Sequence, residues 1–76
     1  MTEKQVKLGI YEHFKGNIYE VRYVAKDADT LEEMVVYVDI NQPSKVWVRS
    51  KQNFLSPKVI DGVEHERFKL LMERST

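Results

Sequence analysis

The 76-residue chain contains no cysteine, which excludes both a disulfide framework and a thiolate metal site. Small secreted domains usually depend on such staples, so the absence favours a reducing, cytoplasmic setting. No run approaches the roughly 20 apolar residues that a membrane helix needs, and the first residues lack a signal-peptide core. Twelve Lys and Arg balance twelve Asp and Glu, and zero net charge removes the strongest general case for nucleic-acid binding. With three Gly and two Pro, no glycine loop that cradles phosphate can be written. The two histidines, His13 and His65, have no companions at metal-ligand spacing. No metal or cofactor is implied, and no Ser-His-Asp or Cys-His pairing can be argued. His65, between Glu64 and Glu66, reads as exposed and inert.

What the chain has is a dense supply of strand formers. Ile18, Tyr19, Val21, Tyr23, Val24, Val35–Val38, Ile40 and Val46–Val48 favour a pleated, half-buried surface. Turn chemistry interrupts them at Asp27–Thr30 and at Asn41–Ser44. Consecutive strands with short connections form a meander, and a short meander curls to bury one face. Hydrophobic residues make up 42% of the chain, an ordinary globular share, and the length supports one core only.

The individual elements follow. Gly9–Phe14 reads as a first strand, and Lys15-Gly16-Asn17 as the tight turn behind it. Ile18–Lys26 is the second strand, with Tyr19, Val21 and Tyr23 on one face, Glu20 and Arg22 on the other. A bulge near Tyr23 would re-aim it, because Val24-Ala25 is apolar on both sides. The third strand, Met34–Ile40, is apolar at nearly every position, which suits a central place in the sheet. Lys45–Ser50 is the fourth, with Val46 and Val48 on one face, Trp47 and Arg49 on the other. Lys51–Leu55 suits a single helical turn with Phe54 and Leu55 as plugs, and Pro57–Ile60 resumes an extended path. Asp61-Gly62 is a second hairpin signal, and residues 66–72 favour strand over helix. Residues 1–8 are expected to be a flexible segment, 9–72 one domain, and 73–76 a flexible tail. The expected architecture is mainly β: a strongly bent antiparallel sheet of five to six strands, closing into an SH3-like barrel.

Several short motifs, taken together, resemble a known family. They are Tyr11–Val21, Val24-Ala25, Val35-Val36-Tyr37, Val46–Arg49, Phe54, Asp61-Gly62 and Arg67-Phe68. Their order and spacing are similar to those of the small bacterial family catalogued as domain of unknown function "sixteen fifty-three", over roughly Gly9 to Leu70. The resemblance implies a compact SH3-like barrel and no established activity. The chain departs from the family pattern at Val38, where a polar residue is usual, and at Ser50, where proline is.

The side chains suited to recognition are aromatic and basic: His13, Tyr37, Trp47, Arg49, Lys51 and Arg67, with Tyr11, Tyr19 and Phe68 nearby. A flat aromatic and a planar guanidinium on one surface suit a carboxylate, a phosphate, a base or a peptide. The competing reading has Trp47 filling the interior, which a thin core with one Trp slightly favours, and Arg49 pairing with Glu20 or Asp39. His13, at a strand end, is a structural hydrogen-bonder or a site residue. Lys45, Arg49, Lys51 and Lys58 occupy a stretch without any acid, whereas Asp27, Asp29, Glu32 and Glu33 crowd one loop. An interior this small rarely encloses the roughly 300 Å³ that a reaction needs. The expected function is therefore a non-catalytic protein- or peptide-binding module; the alternative is a nucleic-acid accessory using the basic and aromatic surface. No membrane partner is expected, and nothing in the sequence specifies oligomeric state.

Overall fold

A computed structural model describes residues 5–74. The strands are β1 (Gly9–His13), β2 (Ile18–Lys26), β3 (Glu33–Asp39), β4 (Gln42–Ser50), β5 (Pro57–Ile60), β6 (Val63–Glu66) and β7 (Phe68–Glu73), with α1 (Lys51–Leu55) between β4 and β5. Five of them form an antiparallel sheet in the order β4-β3-β2-β1-β7, and β5 pairs with β6 in a separate hairpin.

The mainly β, antiparallel class agrees with the strand-forming sequence. Closure into a barrel does not follow: β4 and β7 are the two edges of the main sheet, and no ladder joins them among the described residues. The physical reason is the β5–β6 hairpin. It takes up the segment that a closing strand would need, and among the described residues it pairs only with itself.

Local chemistry explains most boundaries. The Phe14–Asn17 loop is one residue longer than expected, closed by the Gly16 N–H on the His13 carbonyl at 2.7 Å. The β2–β3 register shifts between Val21 and Tyr23, so the bulge turns the end of β2 outward and leaves Tyr23 exposed. Asp61 and Gly62 both have positive φ, 51° and 77°, the conformation of a two-residue type I′ turn. Ser50 caps α1, its Oγ accepting from the Asn53 N–H at 3.1 Å, an acceptor that a proline at this position would not offer.

Pro43 lies inside β4 rather than in a turn. The turn is at Ile40-Asn41, and the register shift between Val38 and Asp39 leaves Pro43, Ser44 and Lys45 unopposed in the ladder. An edge strand tolerates a proline that a central strand would not.

The core lies on one face of the sheet: Tyr11, Val21, Val35, Tyr37, Phe54 and Phe68 form one buried cluster, with Val6, Leu8, Tyr19 and Leu55 packed against it. Phe54 reaches it from α1 and is 2% exposed. Val38 is buried on the opposite face, so the position after Tyr37 serves packing here.

Of the ends expected to be loose, residues 1–4 and 75–76 lie outside the described residues. Within them, Tyr11 donates to the Lys7 carbonyl at 2.7 Å, and the Arg74 N–H donates to the Leu8 carbonyl at 2.8 Å. No helix among the described residues is long and apolar enough to cross a membrane.

Candidate functional site

One end of the core face carries the aromatic and basic residues. Tyr37 lies opposite Trp47, and Val35 opposite Arg49, across the β3–β4 ladder. Cross-strand partners share a face, so Trp47 and Arg49 stand side by side on the core side. Trp47 is nevertheless 49% exposed, which corrects the interior placement. It belongs to an edge strand of the main sheet.

Arg49 is fixed from three directions. Its Nε donates to the Tyr37 hydroxyl at 3.0 Å, and its Nη1 donates to Asn53 Oδ1 at 2.5 Å. Its guanidinium carbon lies 5.8 Å from the centre of the Phe68 ring, within cation–π range. The alternative pairing with Glu20 or Asp39 is absent. Glu20 Oε1 accepts from Arg22 Nε at 3.1 Å, and Asp39 Oδ1 accepts from the Asn41 N–H at 2.8 Å.

The floor beneath Arg49 is aromatic. Phe68 stacks on Phe54 with ring centres 4.2 Å apart and an interplanar angle of 5°. Tyr37 meets Phe68 edge-on at 5.5 Å and Tyr19 at 5.3 Å. His13, at the end of β1 and opposite Phe68 in the ladder, meets the Phe68 ring at 5.0 Å.

The electrostatics are positive. Partial burial, then the charges of Arg49, Lys15 and Arg67, hold the His13 imidazole below its ordinary pKa. Its Nδ1 accepts from the Lys15 N–H at 3.2 Å. Burial raises the Tyr19 hydroxyl, Asp39 and Tyr37 raise it further, and Arg49 opposes them. Arg67 sits in the break between β6 and β7, and its Nε is buried without a hydrogen-bond partner among the described residues. Among the described residues, neither Arg49 nor Arg67 has a carboxylate within ion-pair distance.

His13, Tyr37, Arg49 and Arg67 are thus brought into one neighbourhood with Trp47 at its rim. Lys51 is directed elsewhere, its Nζ 3.2 Å from Glu33 Oε2. Sequence reasoning missed Asn53, which orients Arg49 from the helical turn, and the role of Phe54 as floor. The only hint was spacing: Asn53 follows Arg49 by four residues across a capped turn.

Two grooves border this end. One of about 310 Å³ is lined by Tyr11, Phe54, Leu55, Phe68 and Leu70, with Gln5, Lys7 and Glu66 at its rim. The other, about 380 Å³, runs from Glu12, His13, Phe14 and Gly16 to Glu64, His65, Glu66 and Lys69. Among the described residues, no group of three His, Cys, Asp or Glu side chains is placed to hold a metal.

The family model described as "Protein of unknown function (DUF1653)" matches residues 9–70. A solved structure, the crystal structure of a protein of that family from Bordetella bronchiseptica, superposes with a TM-score of 0.77 at 21% identity. The match covers 93% of this chain and 94% of the other, and at that identity it speaks for the fold alone. No curated protein matches the chain. With the model spanning nearly all of the described sheet, the chain belongs to the DUF1653 family of proteins of unknown function.

Proposed function

We propose that this domain is a non-catalytic binding module that holds a protein segment by an oxyanion, a carboxylate or a phosphate, at the Arg49–Arg67 end of the core face. The observation that carries the reading is the state of the two guanidiniums. Arg49 is oriented by neutral partners, Tyr37, Asn53 and the Phe68 ring, and Arg67 keeps a buried, unpartnered Nε. Buried donors are normally satisfied, and planar guanidiniums match oxyanions bidentately. Trp47 at the rim supplies a flat apolar contact of the kind that anchors interfaces.

The non-catalytic part rests on His13. Its Nδ1 already accepts a backbone N–H, and no nucleophile–base pair stands beside it in the sequence. A cytoplasmic, bacterial setting fits the cysteine-free composition and the bacterial family neighbour. The SH3-like description fits as a meander topology with an open edge.

An acidic pentapeptide, Ac-EEEEE-NH2, followed by Trp47 fluorescence, tests the proposal. A hydrogen bond to a charged group is worth about 1.5–3 kcal/mol, so Arg67→Gln should weaken binding about tenfold or more, and Arg49→Lys similarly. Unchanged affinity in both folded variants would refute the reading. The acid-free stretch with Lys45, Arg49, Lys51 and Lys58 favours a second reading, single-stranded nucleic acid. That reading requires oligo(dT) affinity that falls steeply with salt.

A further inference from the structure

Beyond the oxyanion site, and on a different observation, we infer that the open edge of β4 is a strand-addition surface for an acidic, extended segment of another protein. Among the described residues, β4 pairs with β3 and with no other strand. Its regular part, Val46–Ser50, carries no proline; Pro43 is confined to the bulged beginning. Val46, Trp47 and Val48 are 57%, 49% and 57% exposed. An edge strand presents a row of unpaired N–H and C=O groups on its free side, and an added strand satisfies them while its side chains fill alternate positions.

Charge decides between occupants. From Asn41 to Ile60 the chain carries Lys45, Arg49, Lys51 and Lys58 and no acid. A second copy pairing antiparallel about Trp47 would bring Lys45, at the end of the bulged beginning, opposite Arg49. Like charges directly opposite are destabilising, so this edge is built against itself. A segment alternating acidic and β-branched residues fits instead. Its acids would face the side that carries Trp47 and Arg49, its apolar residues the side that carries Val46 and Val48.

The test uses the full chain and three synthetic peptides: Ac-EVEVE-NH2, Ac-EPEPE-NH2 of equal charge, whose prolines remove the two valine N–H donors and disfavour regular strand pairing, and Ac-KVKVK-NH2. Amide hydrogen exchange across Lys45–Ser50 is read with each at millimolar concentration. The expected result is at least a tenfold slowing with the Glu–Val peptide, none with the other two, and the same slowing in Arg67→Gln. Equal effects of the Glu–Pro peptide, with slowing confined to the Arg49 amide, would overturn strand addition while leaving the oxyanion reading intact. Absence of slowing with all three, or slowing only on concentration-dependent dimerisation, would also overturn it.

Discussion

Phe68 couples the fold to the site, so replacing it with leucine separates ring chemistry from plain burial. The side chain is 7% exposed, and leucine retains most of the apolar area. What disappears is the stacked pair with Phe54 at 4.2 Å, worth about 0.5–1.5 kcal/mol beyond area. The Arg49 contact at 5.8 Å contributes about 0.5–1 kcal/mol, and the shape change costs up to about 1.5 kcal/mol. The expected loss is about 1.5–3 kcal/mol, a large share of the roughly 4–11 kcal/mol available to a domain of this size. Urea unfolding followed by circular dichroism should show the midpoint lowered by about 1–3 M with an unchanged slope. In the folded variant, the His13 pKa should also rise toward its ordinary value, because the Phe68 edge that helps to bury it is gone. A loss below about 0.5 kcal/mol would refute the reasoning, since the stack would then contribute nothing that leucine cannot supply.

Other consequences follow from backbone and charge. Gly9 has φ +147°, and an added Cβ would overlap the Met72 carbonyl oxygen and lie 2.9 Å from the Arg74 nitrogen. Gly9→Ala should therefore cost about 2 kcal/mol or more, whereas Gly62→Ala, with φ +77° and open space around it, should cost about 1–2 kcal/mol; paired thermal melts compare them. Leu31 is exposed with φ +64°, so Leu31→Gly should leave stability unchanged or raise it by about 1 kcal/mol. His13 is depressed in the folded state, so its contribution is complete above about pH 6.5, the unfolded value. That contribution is lost as pH falls through the lower, folded value. His13→Gln should flatten stability in that window, read by urea melts at a series of pH values.

Much of the fold was legible because its punctuation is local. Ile18–Lys26, Lys51–Leu55 and Pro57–Ile60 have the predicted limits, set by turn residues and by the Ser50 cap. The bulge near Tyr23 was visible as a break in alternation. Closure was not legible, because which strands pair depends on where the β5–β6 hairpin goes, and no local preference encodes that. Pro43 was misread as turn because its tolerance in β4 depends on an edge position. Period two placed Trp47 and Arg49 on one face, but the exposure of Trp47 depends on what lies above β4, a tertiary fact. The convergence of His13, Arg49 and Arg67 likewise needed three elements brought together by Phe68.

The most direct test of the central claim, that the two guanidiniums await an oxyanion, is side-chain nitrogen NMR of Arg67. Inorganic phosphate and acetate are titrated in turn against chloride at matched ionic strength. The account predicts a saturable shift of the Arg67 Nε–H signal with one or both oxyanions, a rising His13 pKa, and neither with chloride. A signal that ignores all three, or that responds to chloride as strongly, would contradict it.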